Sequence, residues 1–428
     1  MSAIRTLRTV LAIVGTVFFI LYFYQMVYTV IGLFHRIMPK QPVSRLHRYA
    51  AVISARNEEK VISNLIESLK AQDYPKDKLD IYVIADNCTD QTAQIARDCG
   101  AFVYERSDST HQGKGYALEY FFRCLQRDKK DSYEGYMVFD ADNIVDPNFT
   151  KEINRVFDTG EYGAITGYRN STNFGDNWIS SGYAIWFLRE ARFLNGPRMY
   201  LGTNCHVSGT GFLVSADVIR KNNGWPFFLL TEDIQFSVNC AAQNIRIGYC
   251  ESAVVYDEQP TTFRQSWRQR LRWSKGFYQV NGRYAGSLIA GAIQKQGKAA
   301  WSCFDMLATI APGTILVLAE ILIFGGICIS VWGLPGWLAH FVLRRCGRLG
   351  MRLLLEYYLL MLLYGLLTVI VEWNSIQCPA YKKILYCFTF PLFMLTYIPI
   401  SITALFRKVS WTPIDHYGTE ADRITERF

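Results

Sequence analysis

Gly135-Tyr136-Met137-Val138-Phe139-Asp140-Ala141-Asp142 is an apolar run that ends in two carboxylates one residue apart. Such a run reads as a buried strand that delivers Asp140 and Asp142 to a loop. Three similar runs come earlier, at 49–54 (Tyr-Ala-Ala-Val-Ile-Ser), 79–85 (Leu-Asp-Ile-Tyr-Val-Ile-Ala) and 101–104 (Ala-Phe-Val-Tyr). Between the first two, Val61, Leu65, Ile66 and Leu69 recur at helical spacing. Thr89 or Asp90 can cap a helix reaching about Asp98, and 114–127 predicts another. Strand and helix therefore alternate, which implies a parallel sheet with helices on both faces. Ligands of such sheets bind outside the carboxyl ends of the strands. Asp86 and Asp140 both fall there, which points to a nucleotide site.

Outward from this core the composition changes. The 428 residues are 50% hydrophobic and carry a net charge of +8. Residues 45–300 hold most of the acids, while 9–34 and 301–406 are apolar with few charges. The chain is long enough for a full globular domain plus several membrane spans. Residues 10–34 follow Arg5 and Arg8 but are too long for a signal-peptide core, so they read as an anchor. Stretches 302–333, 353–372 and 384–406 are each long enough to span. Segment 334–343 is ambiguous, and splitting 302–343 near Gly325-Gly326 gives four C-terminal spans instead of three. Arg344, Arg345, Arg348 and Arg352 form the kind of basic cluster that usually faces the cytoplasm and anionic lipid. No basic cluster lies on a soluble element, which argues against a nucleic-acid partner. The 11 cysteines are scattered without a Cys-x-x-Cys. Zinc and a disulfide framework are both disfavoured, and a reduced cytosolic domain fits.

Several clusters carry chemistry. Asp140 and Asp142 can hold hard Mg2+ or Mn2+ while a nucleoside diphosphate supplies further oxygens; alone, such a pair is usually an exposed turn. Asn57 and Glu58 read as a helix cap. His111-Gln112-Gly113-Lys114-Gly115 reads as a turn whose glycines let the backbone approach a ligand. Thr231-Glu232-Asp233 reads as an acidic helix N-terminus. Arg272 can pair with a diphosphate, and Trp273 offers a flat face to a sugar ring. A snorkelling arginine and an interfacial tryptophan explain the same two residues. Residues 176–195 predict one long amphipathic helix bearing Trp178, Tyr183, Trp186 and Phe187, aromatics that a core, the commoner case, or an acceptor groove would each explain. Residues 263–300 predict helices lying at the membrane surface.

Taken in order, Asp86, Asp140-Ala141-Asp142, Thr231-Glu232-Asp233 and Gln269-Arg270-Leu271-Arg272-Trp273 resemble the motifs of processive inverting family 2 glycosyltransferases. These are the cellulose, hyaluronan, chitin and poly-N-acetylglucosamine synthases, and the resemblance runs from about Tyr49 to Tyr278. It implies a GT-A type α/β domain, a mostly parallel sheet with helices on both faces, inserted between transmembrane helices. Asp140 would sit nearer the donor sugar and diphosphate, and Asp142 would be the metal ligand for Mg2+ or Mn2+. Asp86 would contact the nucleoside, although the chain reads Asp86-Asn87 where many members have two aspartates. Ala55, Asn57 and Glu58 would embrace the uridine, and Lys114 would meet the diphosphate. Asp233 would be the general base with Glu232 in support. Ser208, Gly209 and Thr210 look like the small-residue element at the acceptor end. Gln269, Arg272 and Trp273 would bind diphosphate and acceptor.

The domain organisation this implies is an anchor at 1–40, a cytosolic catalytic domain at 45–262 and interface helices at 263–300. Three or four spans follow at 301–406. The tail at 407–428, with Trp411-Thr412-Pro413-Ile414-Asp415-His416, is a candidate gating loop. The expected activity is an inverting, metal-dependent enzyme of the plasma membrane that extends a β-linked polysaccharide from UDP-N-acetylglucosamine or UDP-glucose. The resemblance places a translocation channel among the spans and leaves room for an accessory membrane subunit. Two other readings stay open. One is a single-addition transferase acting on a lipid, because ceramide glucosyltransferases carry a related arginine–tryptophan element. The other is a non-catalytic membrane partner.

Overall fold

The computed structural model describes residues 2–34, 42–128 and 132–411. The link at 35–41 and tail residues 412–428, which include Thr412 to His416 of the candidate gating loop, lie outside the described residues.

Eight strands form one mixed sheet: β1 Tyr49–Ala55, β2 Leu79–Asp86, β3 Phe102–Arg106, β4 Gly135–Asp140, β5 Ile144–Val145, β6 Ala164–Ser171, β7 Phe212–Ser215 and β8 Ile247–Asp257. Their spatial order is β3-β2-β1-β4-β7-β6-β8-β5. The half built from the sequence-predicted strands is parallel, with β1 between β2 and β4. Beyond β4 the sheet turns mixed. β7 runs antiparallel to both β4 and β6, and only β6 and β8 pair in parallel. The near-continuous apolar runs of β1 and β4 follow from burial on both faces, and Tyr49 to Ile53 and Met137 to Phe139 are at most 1% exposed.

Helices α2 Ile62–Lys70, α3 Thr92–Asp98, α4 Lys114–Arg127, α5 Phe149–Phe157, α6 Trp178–Glu190, α7 Gly196–Leu201, α8 Ala216–Lys221 and α9 Glu232–Ala242 complete the domain, after α1 Ser2–Phe34. The predicted helix at 176–195 is instead α6, a π-helical turn at Ala191–Asn195, and α7. Asn177 starts it with a full capping box. Pro197 lacks the N–H that would bond the Phe193 carbonyl, and the chain widens into the π turn just before it. This helix is buried almost all round, so its aromatics belong to the core except where they reach the cleft.

The C-terminal part comprises α10 Phe263–Gln294, α11 Gly297–Ile310, α12 Pro312–Val331, α13 Gly336–Val371, α14 Ala380–Leu395 and α15 Tyr397–Phe406. The predicted span at 302–333 is broken at Pro312. The Ala308 carbonyl that Pro312 cannot serve accepts a hydrogen bond from Tyr22 of α1 at 2.9 Å. Among the described residues, Gly15–Phe34, Gly336–Val371 and Ala380–Phe406 are long and apolar enough to cross a membrane.

These segments meet the domain differently. Glu372, just past α13, accepts from Tyr168 of β6 at 2.8 Å. Counting back from it, Arg352 to Arg344 begin about 30 Å along the helix. The basic cluster and the catalytic domain therefore lie at opposite ends of α13. Ala380–Phe406 instead touches the domain along its whole length. Lys382 bonds the Gly175 carbonyl at 2.6 Å, Arg270 bonds the Phe393 carbonyl at 3.0 Å, and Lys275 bonds the Ala404 carbonyl at 3.0 Å. Its other face exposes Tyr381, Ile384, Leu385, Phe388 and Leu392.

Gly182 sits where α6 meets α14, and a Cβ there would lie 2.4 Å from the Phe393 ring. Gly182→Ala should wedge the two helices apart and destabilise the domain by about 1–3 kcal/mol. A lowered thermal midpoint in detergent or nanodiscs checks this; an unchanged midpoint would show that Phe393 can swing aside.

Candidate active site

One cleft opens at the carboxyl ends of the parallel strands, and its walls come from both ends of the sequence. Asp86 ends β2, Asp140 ends β4, and α9 begins with Glu232 and Asp233. Lys114, the first residue of α4, extends its ammonium to the Asp140 carboxylate at 2.5 Å and to the Gly209 carbonyl at 2.7 Å. It thereby joins three of the sequence motifs. The close approach of α4 depends on Gly115, since a Cβ there would lie 2.0 Å from the Phe227 carbonyl oxygen.

Of the sequence-predicted residues, Ala55, Glu58, Asp86, Lys114, Asp140, Asp142, Ser208, Gly209, Glu232, Asp233, Gln269, Arg272 and Trp273 all line this cleft. Two do not. Asn57 is exposed in a left-handed conformation (φ 59°), and its side-chain oxygen accepts from the Thr89 backbone. It braces the β1 and β2 loops against each other. Thr210 is buried behind the cleft, where its hydroxyl accepts from the Asp140 backbone N–H at 3.0 Å. It sets the height of Asp140. Glu58 does not cap α2 as expected: the helix begins at Ile62 with Val61 at its N-cap, and Glu58 meets it only through its backbone carbonyl.

Asp86 is not an isolated carboxylate. The buried Arg106 guanidinium donates to it at 2.6 Å, and Asn87 donates at 2.8 Å. Burial raises its pKa and Arg106 opposes the rise. Asn87 occupies the place of the second aspartate seen in many relatives. It adopts φ 55° and exchanges hydrogen bonds with the Asp108 backbone. A short amide suits that left-handed turn, so Asn87 shapes the loop that carries Asp86.

Asp140 and Asp142 supply hard oxygen donors of the kind Mg2+ and Mn2+ prefer. Asp142 also accepts from the Glu258 backbone N–H at 3.2 Å, which orients it. Among the described residues no group of three His, Cys, Asp or Glu side chains is arranged to hold a metal by itself. The donor set fits a cation whose remaining ligands come from a diphosphate. At the facing wall, Gln269 Oε1 and Arg272 Nε are buried without a hydrogen-bond partner. Unsatisfied buried polar atoms beside a cleft fit a polar ligand better than a closed core. Trp273 packs edge-on against Tyr183 and Phe187, which fixes its ring at the cleft wall. Arg270, between the motif residues, is fully buried and bonds α14 instead.

Glu232 and Asp233 stand at the start of α9, half-buried. Burial, then the neighbouring Asp233 carboxylate, pushes Glu232 up to about 7. Burial also raises Asp233, against the pull of the α9 backbone, Lys114, His206 and Arg169. Two carboxylates with raised proton affinity in a cleft that also holds Lys114 and Arg272 suit proton abstraction.

Sequence reasoning missed Arg106, Arg169, Glu190, His206, Asp257 and Glu258, whereas Trp186 and Phe187 belong to the helix whose aromatics suit a core or an acceptor groove. All but Arg106 line the cleft. None lies in a motif, and each reaches its position through contacts distant in sequence. Trp411 also lines the cleft, with the Arg56 guanidinium 5.1 Å and the Arg272 guanidinium 6.0 Å from its ring.

The sheet, the strand-end carboxylates and the acidic start of α9 define a glycosyltransferase domain of the GT-A type. The chain belongs to the family described as Glycosyltransferase like family 2, which matches residues 47–276. The beta-monoglucosyldiacylglycerol synthase of Synechocystis sp. is 26% identical over 233 residues, covering 53% of this chain and 47% of that protein. The poly-beta-1,6-N-acetyl-D-glucosamine synthase of Staphylococcus aureus is 26% identical over 251 residues, covering 56% and 57%. The chain thus spans about half the length of the curated relatives it matches. Among solved structures, the mannosyltransferase PcManGT of Pyrobaculum calidifontis aligns over 93% of this chain and 99% of its own. The TM-score is 0.56 at 15% identity, a likeness of fold.

Arg106→Ala would leave the buried Asp86 carboxylate without its cation, at a cost of about 3–5 kcal/mol. The expected result is a lower thermal midpoint and weaker nucleoside diphosphate binding in a titration. A variant that loses neither would show that Asp86 is held adequately by Asn87 alone.

Proposed function

We propose that this chain is a membrane-bound inverting glycosyltransferase that moves a sugar from a nucleoside diphosphate, UDP in the first instance, to an acceptor hydroxyl at the bilayer margin. The observation that carries the reading is the single cleft in which all four motifs converge around Lys114. At one end Ala55, Glu58 and Asp86 receive the nucleoside. Asp140, Asp142, Lys114 and Arg272 receive the diphosphate. A divalent cation held by Asp142 and Asp140 would neutralise the leaving diphosphate. At the other end Trp273 takes the acceptor. Asp233 abstracts the proton of the attacking hydroxyl, and Glu232 supports it from one residue before.

Inversion needs only one base, because the charge on the leaving group is met by cations and not by a protonating acid. Trp411 over Arg56 and Arg272 places the start of the tail on the nucleotide side of the cleft, as a covering segment requires.

The acceptor reading that the packing supports best is single addition to a membrane-anchored molecule. The wall behind Trp273 is filled by Tyr183, Arg270, Phe393 and Tyr397, and α6 touches α14 directly at Gly182. This dense wall favours an acceptor that enters from the lipid side over a polymer threaded past Trp273. Extension of a β-linked glycan is the second reading, favoured by the similarity to the Staphylococcus aureus polymer synthase. With both ends of Ala380–Phe406 on the domain, we place that segment in the membrane plane, its exposed apolar stripe toward lipid. Then α1, α12 and α13 cross the bilayer. Eleven free cysteines accord with a catalytic domain on the reducing, cytosolic side.

The test uses purified protein in lipid with Mg2+ or Mn2+ and a panel of UDP-sugars, following UDP release and product mass together. One added sugar on a lipid acceptor supports the first reading, and a ladder of long products supports the second. No release with any donor would sink both. Asp233→Asn should lower transfer by about 10²–10⁴-fold and leave UDP affinity nearly intact; lost UDP binding would overturn the base assignment. The pH dependence has a definite sign. A protonated carboxylate cannot accept the hydroxyl proton, and burial raises Asp233, so kcat should rise with pH above the ordinary aspartate range as Asp233 loses its proton, and then flatten. A rate that falls over this interval would contradict the assignment.

A further inference from the structure

The proton acceptor is not the only carboxylate at the acceptor end. Glu190 ends α6, immediately before the π turn, and lines the same cleft. The Ser208 hydroxyl donates to its Oε1. His206 Nε2 lies 2.9 Å from that same oxygen. Ser208 is followed by Gly209, where a methyl group would lie 3.6 Å from both Asp233 Oδ2 and Arg169 Nη1. Glu190 and Asp233 therefore flank one dipeptide. Both bonds that hold Glu190 fall on Oε1, which leaves Oε2 as its acceptor toward a ligand.

The tautomer of His206 is set from behind. Its Nδ1 accepts from the Arg198 guanidinium at 2.5 Å, so Nε2 carries the proton that is donated to Glu190. Arg198 is fully buried and makes a two-point pair with Asp305 of α11 at 2.7 and 2.8 Å. Asp305 also accepts from Tyr24 and Tyr28 of α1 at 2.9 and 3.2 Å. A continuous buried polar chain thus runs from the first membrane helix to a carboxylate in the cleft. Such a chain is expensive to bury, and it holds Glu190 in one place. Burial alone would raise the proton affinity of Glu190, but His206, Ser208 and Arg198 bring it below the usual range, so it is a carboxylate at neutral pH.

A fixed carboxylate beside the base, with the Phe187 ring under Arg169 at 3.7 Å nearby, recognises hydroxyl donors. We propose that Glu190 binds a second hydroxyl of the acceptor, next to the one that Asp233 deprotonates. The acceptor then already carries a sugar or other polyol headgroup, and is not a lipid with a lone hydroxyl. His206 is the positioning residue of this subsite. The proposal rests on the glycosyltransferase reading above and deepens it by naming the acceptor class.

The test has a binding arm that needs no turnover. Full-length protein in nanodiscs, saturated with UDP and Mn2+, is titrated with hexyl β-glucoside or with hexanol, and tryptophan fluorescence is read from Trp186 and Trp273. The glucoside should bind and hexanol should not. Glu190→Gln keeps an oxygen for His206 and Ser208, so the fold is retained, yet it should weaken glucoside binding about tenfold or more with UDP affinity unchanged. Ser208→Ala provides a second variant with a smaller loss of the same kind. In the turnover arm, glucosyldiacylglycerol should be preferred to diacylglycerol, and Glu190→Gln should raise KM for the acceptor more than it lowers kcat. Equal binding of hexanol, preference for diacylglycerol, or acceptor binding untouched in both variants would overturn the proposal. Binding as expected without UDP release from any donor would instead sink the catalytic reading and leave the subsite standing.

Discussion

The buried pair of Arg198 and Asp305 ties the glycosyltransferase domain to α11 and, through Tyr24 and Tyr28, to α1. Asp305 accepts four hydrogen bonds, two from Arg198 and one each from Tyr24 and Tyr28. Both partners are fully buried. Removing one side of such a pair costs about 3–5 kcal/mol, because the other charge is then stranded. The geometry of α1, α11 and α7 is therefore set by one electrostatic contact. Everything toward the acceptor end of the cleft hangs from it, through His206 and Glu190.

A second constraint governs the donor end. Lys114 spans Asp140 and Gly209, so β4, α4 and the loop before β7 converge on one ammonium. Asp86 and Arg106 form a similar pair two strands away, across β1. In both cases a cation holds a strand-end carboxylate in register before any ligand arrives. A metal and a diphosphate would meet oxygens already ordered, which lowers the cost of organising the site.

The two ends differ in how they are joined to the membrane. Most of the proposed donor-end residues come from the parallel half of the sheet, while Arg272 reaches that end from α10. Those proposed for the acceptor end come largely from α6, which packs on α13 and α14, and α10, which packs on α15. Arg270 shows the coupling. It is buried within the motif helix, and its Nη1 bonds the Phe393 carbonyl and Thr396 at the break between α14 and α15. Arg270 thereby pins the motif helix to that break.

Much of the fold could be read directly from local pattern. The strands at 49–54, 79–85 and 135–139 and the helix at 114–127 follow from apolar runs and helical spacing, and the strand ends show where Asp86 and Asp140 must lie. The motif residues Lys114, Asp142 and Asp233 were legible because each sits at or just past a strand end or helix start that the pattern marks, and Trp273, inside α10, through its place in the Gln-x-x-Arg-Trp element. Tertiary structure decided the rest. Asn57 and Thr210 brace loops because the partners that claim them, Thr89 and Asp140, are distant in sequence. Glu190, His206 and Arg169 carry no local signature, since a charged residue in a buried helix or strand is recognised only by the groups it meets. The placement of Ala380–Phe406 along the domain was equally hidden. Hydropathy measures how well a helix tolerates lipid, whereas hydrogen bonds from Lys275, Arg270 and Lys382 determine where it lies.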